Sequence, residues 1–472
     1  MAFRILFPYI LLLTFISACD RAAGVTADAP ESAPNVIIIL TDDLGYGDLS
    51  CYGSYRTQTK HLDRMAAEGI KLTGFYAFPS CSPSRAALLT GCYPPRVGIP
   101  DVVGPPGPRW TADKQYGLHP DETTLPELLK TAGYATGMVG KWHLGHFPET
   151  MPNVHGFDRF FGLPYSNDMI PESGYPDLAL LNNRDTFDLN PDQSLLTDRY
   201  TTEALEFIRQ NQAGPFFLYV AHGMPHVPLF ISDAFVQHSG QGDYADVVEE
   251  IDASVGRILA ELKELGLDEK TLVIFTSDNG PWLTYGNHAG SAGPFREGKG
   301  TTWEGGMRVP MIARWPGTIP AGGVSHVVAS LIDVLPTAAA VANTELPSRK
   351  IDGRDLTPLL TSPSHPAAAP RNPPFCYYRS GHLDAVRVGK WKLHLPHKYR
   401  YVSRVANDGE GGEYAYRDTG LALYDLSGDP AEKYNVADKY PEKTEELRQL
   451  ATSLQAEMDA EKREPFRPLD TK

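Results

Sequence analysis

The sequence predicts an α/β protein with a large mixed, mostly parallel sheet sandwiched by helices, followed by a smaller C-terminal antiparallel sheet with one helix. Three observations support this fold class. Continuous apolar runs have the pattern of strands buried on both faces, at residues 35–40, 134–139, 216–221 and 271–275. Helical patterns lie between these runs, and strands that alternate with helices form parallel sheets. Beyond residue 363, the pattern changes to short alternating segments.

The helices are predicted from apolar residues at helical spacing, at residues 124–132, 197–212 and 246–265. The third pattern is the clearest, because its apolar residues form a single stripe: Val247, Val248, Ile251, Val255, Ile258, Leu259 and Leu262. The C-terminal segments at residues 375–378, 385–395 and 421–424 predict antiparallel strands, and residues 441–458 predict the closing amphipathic helix.

The chain of 472 residues is too long for one compact core, so two domains are expected. We assign residues 1–19 to a signal peptide of the lipoprotein type and residues 20–34 to a linker. Residues 35–370 form the predicted main domain and residues 371–472 a C-terminal α+β subdomain. A Pro- and Ala-rich stretch marks the boundary between these two.

The N-terminus has the pattern of an export signal. Arg4 precedes an apolar run, residues 5–18, that is shorter than the about 20 residues a membrane span needs. Small residues then lead to Cys19, which resembles a bacterial lipobox, where this cysteine becomes lipidated. An ordinary signal peptide cleaved nearby is the alternative. We therefore expect an exported protein of a bacterium, periplasmic or held at the cell envelope by a lipid anchor.

The charge of the chain restricts its partners. A formal net charge of −15 argues against nucleic acid, which requires a basic face. An anionic substrate would need cations held close to it, within the screening length of about 10 Å.

Polar side chains follow four of the predicted strands: Asp42 and Asp43, Lys141 and His143, His222 and His226, and Asp278 and Asn279. Ligands bind at the carboxyl ends of strands in such sheets, so the pattern predicts one shared polar site. Three carboxylates and an amide oxygen suit Ca²⁺ or Mg²⁺ better than zinc. Helix capping is the alternative for either acidic pair.

The stretch CSPSR, residues 81–85, predicts the start of a helix, with Ser82 as N-cap and Pro83 as first helical residue. Cys81 then lies at a helix N-terminus, which favours negative charge, and Arg85 lies one turn further on. An anion-binding pocket is therefore expected. The residues alone leave open whether Cys81 is a disulfide partner, a metal ligand, a thiolate nucleophile, a buried structural cysteine or a residue to be modified.

Two stretches resemble the signatures of the sulfatase family. Residues 81–91, CSPSRAALLTG, are similar to the pattern C-x-P-S-R-x-x-x-L-T-G, and residues 140–145, GKWHLG, are similar to the second signature. Other stretches resemble the arylsulfatase A-like branch, at residues 41–48, 162–166, 271–280 and 298–306. The resemblance runs from about residue 35 to residue 430. It implies an alkaline phosphatase-like fold in which residues 35–370 are the catalytic domain.

The resemblance implies a calcium-dependent hydrolase of sulfate monoesters, either aryl sulfates or sulfated carbohydrates. In this family a separate maturation enzyme converts the motif cysteine to formylglycine (3-oxoalanine), an aldehyde that hydrates to a geminal diol. One hydroxyl attacks sulfur, and the second then helps to expel sulfate and restore the aldehyde. Cys81 would be the precursor of this group.

The resemblance also implies a role for each matching residue. The matching residues are Asp42, Asp43, Asp278, Asn279 and modified Cys81 for one calcium ion; Cys81, Arg85, Lys141, His143, His226 and Lys299 for catalysis; and Lys141, Ser166, His226 and Lys299 for substrate binding. Arg85 would steady the diol, His143 would assist its deprotonation, and His226 would be the general acid for the leaving oxygen.

Two other functions remain open from the sequence. One is a phosphate or phosphonate monoester hydrolase of the same superfamily, because one fold hosts several chemistries. The other is a non-catalytic protein that binds sulfated glycans through an unmodified Cys81. The walls of the pocket are expected from residues 98–117, 169–194 and 283–297.

Overall fold

The first apolar run forms a strand at the centre of the molecule. Every side chain of this strand is buried, and successive side chains point to opposite faces of the sheet, since Val36 packs into one core and Ile37 into the other. The computed structural model describes residues 1–2, 33–111, 115–362 and 374–468. The predicted signal peptide and linker therefore lie outside the described residues, apart from residues 1–2 and 33–34.

The strands of the described residues are, in chain order, β1 (Asn35–Thr41), β2 (Ile70–Leu72), β3 (Phe75–Tyr76), β4 (Ala135–Gly140), β5 (Arg159–Gly162), β6 (Ala179–Asn182), β7 (Asp185–Leu189), β8 (Phe216–Ala221), β9 (Thr271–Ser277), β10 (Met311–Arg314), β11 (Gly323–Ser325), β12 (Ala329–Ser330), β13 (Phe375–Arg379), β14 (His382–Val388), β15 (Trp391–His394), β16 (His397–Arg404), β17 (Glu413–Thr419) and β18 (Ala422–Asp425). The four predicted central strands correspond to β1, β4, β8 and β9.

The α-helices of the described residues are, in chain order, α1 (Lys60–Ala67), α2 (Cys81–Thr90), α3 (Leu125–Thr131), α4 (Leu196–Asn211), α5 (Asp243–Glu264), α6 (Glu304–Met307), α7 (Val334–Val341), α8 (Thr357–Thr361) and α9 (Pro441–Glu461). Apolar side chains of α2, α3 and α7 belong to the core on one face of the large sheet. Those of α1, α4 and α5 belong to the core on the other face. The helices thus enclose the sheet on both faces.

The large sheet has ten strands in the order β11-β2-β10-β9-β1-β8-β4-β5-β6-β7. Its central strands β9, β1, β8, β4 and β5 are parallel, whereas β10, β6 and β7 pair antiparallel with their neighbours. A four-stranded antiparallel sheet, β13-β14-β15-β18, follows, and α9 packs against it. The predicted fold class is confirmed.

The register of the central strands brings their carboxyl ends level with one another. Thr41 of β1 pairs with Ser277 of β9, and Ala221 of β8 pairs with both Leu40 of β1 and Gly140 of β4. Residues that directly follow these strands therefore meet at one edge of the sheet.

Two parts of the C-terminal region differ from the sequence prediction. Residues 385–395, predicted as one segment, belong to two antiparallel strands, β14 and β15, because the chain turns back between Val388 and Trp391. Strands β16 and β17 form a separate antiparallel hairpin that the sequence patterns did not indicate. Within the described residues, no helix combines the length and apolar character that a membrane span requires. Residues Ala33–Lys472 group as one unit, and the boundary between residues 35–370 and 371–472 stays a prediction.

Candidate active site at the carboxyl edge of the sheet

Three of the four predicted pairs of strand-end residues meet above the ends of β1, β9 and β4. They form a buried group of charged and polar side chains that we call the strand-end cluster: Asp42, Asp43, Cys81, Arg85, Lys141, His143, His226, Asp278, Asn279 and Lys299. Each of these residues is at most 7 % exposed. The sequence-predicted site residues are thus brought together, with Ser166 beside them through a hydrogen bond of 3.1 Å from Lys141 Nζ.

Cys81 is the first residue of α2, so the helix begins earlier than predicted. Ser80 precedes it in an extended conformation as N-cap, and the prediction of Ser82 as N-cap with Pro83 as first helical residue is wrong. The reason lies in the side chain of Ser82, which accepts a hydrogen bond from the Val103 amide at 3.0 Å instead of capping the helix. The predicted position of Cys81 at a helix N-terminus is confirmed.

Asp42 is the anionic centre of the cluster. It forms an ion pair with Lys141, lies 3.8 Å from Arg85, and accepts a hydrogen bond of 3.3 Å from Cys81 Sγ. Burial alone would raise the pKa of Asp42, but Lys141, His226, Arg85 and Lys299 together hold it well below its usual value. This carboxylate therefore stays ionised.

Asp43 occupies the second position after β1 and has a positive φ of 66°. Lys299 Nζ lies 2.6 Å from its Oδ1, and Asn279 Nδ2 donates to the same oxygen at 2.7 Å. His226 Nε2 lies 3.7 Å from Oδ2. A side chain in the left-handed region costs conformational energy, which these contacts offset.

Asp278 has a different environment from the other two carboxylates. Its Oδ2 accepts two hydrogen bonds from Arg85, at 3.1 Å from Nε and 2.8 Å from Nη2, and its Oδ1 accepts one of 3.1 Å from the Asp43 amide. Burial, followed by the charge of Asp42, raises the pKa of Asp278 to about 7, even though Arg85 opposes that shift.

Two buried side chains of the cluster have polar atoms with no hydrogen-bond partner among the described residues. Asn279 Oδ1 is one such atom, and both ring nitrogens of His143 are the others. Buried polar atoms in folded proteins usually have a partner, and a bound ion or water is one explanation for atoms that lack one within the protein. His143 also has a positive φ of 63°, so its backbone is strained at the same place.

The donor set fits a hard divalent cation. Oxygen or sulfur atoms of Asp42, Asp43 and Cys81, with a ring nitrogen of His226, lie within 4.8 Å of one another. The orphaned oxygen of Asn279 belongs to the same cluster, and ionised carboxylates with amide oxygens are the ligands that Ca²⁺ prefers. Asp278, predicted as a ligand, is outside that closest group, and its oxygens accept hydrogen bonds from Arg85 and the Asp43 amide.

The thiol of Cys81 is not prepared to act as a thiolate. Burial, followed by the negative charge of Asp42, raises its pKa well above the ordinary value. Burial and the charge of Asp42 thus outweigh the stabilisation that the helix N-terminus would give to a thiolate at this position. Among the possibilities that the sequence left open, the electrostatics oppose a thiolate nucleophile.

The two histidines after β8 point in different directions. His226 Nδ1 lies 2.6 Å from the Val227 carbonyl oxygen and donates to it, which leaves Nε2 directed towards Asp43. His222 instead lies 3.3 Å from the Ser254 hydroxyl of α5, and burial lowers its pKa to about 4. Only His226 lines the cavity described next.

A cavity of about 240 Å³ opens onto the cluster. Cys81, His143, Ser166, His226 and Lys299 lie at its base. The other charged or aromatic residues that line it are Asp101, Arg109, Asp168, Trp282, Arg379, Arg400 and Tyr416.

The walls of this cavity differ in part from the prediction. Residues 98–117 and 169–194 contribute as expected, whereas the described residues 283–297 do not. The C-terminal strands supply Arg379, Arg400 and Tyr416, which sequence reasoning missed. No local motif marks these residues, because they reach the cavity through the packing of distant strands.

The comparisons with known proteins agree with this geometry. A model of the sulfatase family matches residues 34–344, and a model described as the C-terminal region of aryl-sulfatase matches residues 370–465. The chain is 41% identical over 478 residues to arylsulfatase A of Bos taurus, covering 93% of this chain and 90% of that protein.

The chain is also similar to a second curated sulfatase and to a sulfatase of known structure. The chain is 45% identical over 390 residues to N-acetylgalactosamine-6-sulfatase of Sus scrofa, covering 79% of this chain and 74% of that protein. Among solved structures, it is similar to the PsFucS1 sulfatase from Pseudoalteromonas sp., with a TM-score of 0.81, 28% identity and 92% of each chain covered.

Proposed function

The chain belongs to the sulfatase family and is an enzyme that hydrolyses sulfate esters, and we propose that it does so through a formylglycine made from Cys81 beside one calcium ion. The observation that carries the proposal is the position of Cys81. Its side chain is buried and lines the cavity at the start of α2, where it contacts Asp42 and is influenced by the charges of Lys141 and Lys299.

This environment suits a precursor better than a finished nucleophile. The raised pKa of the Cys81 thiol keeps it protonated, so the unmodified residue would be a weak nucleophile at neutral pH. Formylglycine at this position would supply a hydrated aldehyde, with one hydroxyl for attack on sulfur and a second for release of sulfate.

The proposed ligands of the calcium ion are Asp42, Asp43, Asp278, Asn279 and an oxygen of modified Cys81. The orphaned Oδ1 of Asn279 and the ionised state of Asp42 support a cation here. When bound, the ion would polarise a sulfate oxygen and favour the ionised form of the attacking hydroxyl.

Lys141 and Lys299 are the proposed binding groups for the sulfate oxygens. Each is buried and forms an ion pair with a proposed metal ligand, Lys141 with Asp42 and Lys299 with Asp43. Once a cation neutralises these carboxylates, both ammonium groups are available to offset the charge of the transition state. Ser166 provides a further polar contact beside Lys141.

The proton transfers are assigned to the two histidines that line the cavity. His226 presents Nε2 to the site and would give a proton to the leaving oxygen. His143 has two unpartnered ring nitrogens and would accept a proton from the attacking or departing hydroxyl. Arg85, one helical turn after residue 81, would steady the hydrated aldehyde.

The proposed substrate is a small-molecule or oligosaccharide sulfate ester. A sulfated sugar is favoured over an aryl sulfate, because the cavity walls include five charged side chains that can bind hydroxyl or anionic groups of a sugar: Asp101, Arg109, Asp168, Arg379 and Arg400. The name of the Sus scrofa relative, which is a sulfatase for a 6-sulfated amino sugar, supports this choice.

We further propose that the protein is exported as a bacterial lipoprotein anchored through Cys19, with residues 20–34 as tether. A separate maturation enzyme would modify Cys81. The mass of the native N-terminal peptide tests the anchor, since a free amine on an unmodified Cys19 would contradict it.

The variant Cys81→Ala tests the reaction. We expect it to fold, to retain about one calcium per chain, and to lose hydrolysis of 4-nitrophenyl sulfate, whereas the control Cys51→Ala retains it. Full activity in Cys81→Ala would refute the proposal. Finding about two zinc ions per chain instead of calcium would contradict the metal assignment.

A further inference from the structure

The hairpin of β16 and β17 presents its two faces to different surroundings. Tyr399 and Tyr401 pack into a small core with Trp303. Because strand residues alternate between faces, Arg400 projects to the opposite side. Tyr416 is paired directly with Arg400 across the hairpin, and both line the cavity above the strand-end cluster.

The guanidinium of Arg400 is held in one orientation. It donates two hydrogen bonds to the Lys299 carbonyl oxygen, of 3.2 Å from Nε and 2.6 Å from Nη2, and lies 4.3 Å from the ring centroid of Tyr414. It also packs on Gly300, where a Cβ would collide with it and where φ is +81°. Arg400 is therefore prearranged at the cavity wall before any substrate binds.

Arg400 differs in its partners from the arginines that are buried in ion pairs. Arg85, Arg96 and Arg314 pair with carboxylates at 2.8, 2.7 and 2.6 Å. Arg400 has no carboxylate partner among the described residues, and its two hydrogen bonds go to a carbonyl oxygen. A half-buried cation without a counter-charge is costly, and binding of an anion would remove that cost.

Two other cations that line the cavity are already engaged with carboxylates. Lys299 lies 2.6 Å from Asp43, and Arg379 donates to Asp384 at 2.9 Å. Arg400 uses two of the five N–H donors that an arginine carries, so the others can bind a bidentate anion. An anion bound to Arg400 would lie beside Gly300, next to Lys299. It would therefore be close to the sulfate under attack but would occupy a separate position.

We infer that Arg400 forms a second anion-binding position, which recognises a carboxylate or a further sulfate on a sugar substrate in addition to the sulfate being hydrolysed. The inference rests on the proposed function and specifies the substrate class as a sulfated sugar with a second negative group. Tyr416, 63% exposed at the cavity wall, supplies an aromatic face for the ring that carries this group.

A simpler role for Arg400 would be to position Lys299 through its carbonyl oxygen. This role predicts an equal loss for every ligand when Arg400 is changed, because all of them use Lys299. The second anion-binding position predicts a loss that depends on the second charge of the ligand.

The test is inhibition of 4-nitrophenyl sulfate hydrolysis by three sugars. The probes are N-acetylgalactosamine 6-sulfate, N-acetylgalactosamine 4,6-disulfate, and the disaccharide of glucuronate and N-acetylgalactosamine 6-sulfate. We expect the mature enzyme to bind at least one doubly charged probe about tenfold more tightly than the singly charged one, as a charge-assisted hydrogen bond provides. Which of the two binds tightly distinguishes a sulfate from a carboxylate.

Arg400→Gln should weaken the binding of all three probes a few-fold and abolish the preference for probes with a second charge. Arg404→Gln, which removes an exposed arginine at the end of the same strand, should leave the preference unchanged. Equal weakening of all probes by Arg400→Gln, or no preference in the mature enzyme, would overturn the inference. Absence of any sulfate ester hydrolysis would instead defeat the proposed function.

Discussion

Residues 298–306 supply a buried charge to each of two regions of this molecule. Lys299 belongs to the strand-end cluster, whereas Glu304 joins Lys392, His394 and Glu432 in a group that we call the inter-sheet cluster. The four side chains of the inter-sheet cluster are 0 % exposed. Both regions thus combine lysine with carboxylates in a buried place, and the comparison shows what separates a structural charge cluster from a reactive one.

The charges of the inter-sheet cluster are satisfied by one another and by adjacent protein groups, such as Arg308 at 3.4 Å from Glu304. Lys392 Nζ lies 3.0 Å from Glu304 and 2.9 Å from Glu432, and donates to the Thr302 carbonyl oxygen at 2.8 Å. Glu432 also accepts from the Glu304 amide at 2.7 Å and contacts His394 Nε2 at 2.8 Å. The cluster therefore joins the C-terminal sheet to α6 by a network of charge-assisted hydrogen bonds.

The strand-end cluster instead leaves polar atoms unpartnered where it meets a cavity. Asn279 Oδ1 and both nitrogens of His143 lack partners among the described residues, and His143 lies at the cavity base. In the inter-sheet cluster, His394 Nδ1 is the comparable atom, but its ring is stacked on Trp303 with centroids 4.2 Å apart. Unpartnered polar atoms next to a cavity, rather than buried charge itself, distinguish the strand-end cluster from the inter-sheet cluster.

The largest expected effect comes from breaking the inter-sheet cluster. Lys392→Met leaves two buried carboxylates without their shared cation, so we expect the free energy of unfolding to fall by about 3–5 kcal/mol. The remaining folded enzyme should keep its kcat/KM within a few-fold. Chemical denaturation, with kinetics on the folded fraction, measures both quantities.

Lys390→Met is the matched control for Lys392→Met. Lys390 precedes the same strand, and its side chain is 50% exposed where it pairs with Asp425. Its loss should change the free energy of unfolding by less than about 1 kcal/mol. A similar loss of stability in Lys392→Met and Lys390→Met would show that burial of the lysine does not determine how much it contributes to the free energy of unfolding.

Lys299→Met should give the opposite result to Lys392→Met. It removes a cation that faces the cavity and the proposed sulfate position, so kcat/KM should fall by about 10²–10³-fold. The loss of stability should be smaller than for Lys392→Met, because Asp43 is then left beside His226 and an open cavity. A large loss of stability with activity retained would erase the distinction between the two regions.

The smallest expected effect is a pH dependence that belongs to the inter-sheet cluster. Burial, with a further contribution from Glu304, raises the pKa of Glu432 to about 7 against the opposing charge of Lys392. Glu432→Gln should therefore remove about 2 kcal/mol of pH-dependent stability between pH 5 and pH 8.

The sign follows from proton binding. Because the pKa of Glu432 in the folded state lies above its ordinary value of 4.5, the folded state binds the proton more tightly. Stability from this group is full below about pH 4.5 and is lost as pH rises through about 7. Chemical denaturation at pH 5 and at pH 8 should show that the wild-type protein loses more stability with rising pH than Glu432→Gln does. An equal loss in both proteins would contradict the assignment.

The sequence predicted the central fold well because its strands are buried on both faces. Residues 216–221 were placed without error, and residues 35–40 to within one residue, since a short continuous apolar run is typical of a strand covered on both sides. Strands β16 and β17 were missed, because Tyr399 and Tyr401 alternate with charged residues and pack only into a small local core. Such a pattern is too weak to separate a strand from a loop.

The base of the site was predictable for a related reason. Asp42, Asp43 and Asp278 directly follow buried strands, and the level ends of those strands bring them together. Arg400 and Tyr416 were not predictable, because they reach the cavity from a hairpin about a hundred residues beyond Lys299, and no local pattern marks that approach. The orphaned atoms of His143 and Asn279 also appear only once the fold is known.

The most direct test of the account is the mass of the peptide that contains residue 81, taken from protein that hydrolyses a sulfate ester. Conversion of the thiol to an aldehyde lowers the mass by about 18 Da, and we expect this loss in the active enzyme. An unaltered cysteine at position 81 in fully active protein would contradict the central claim.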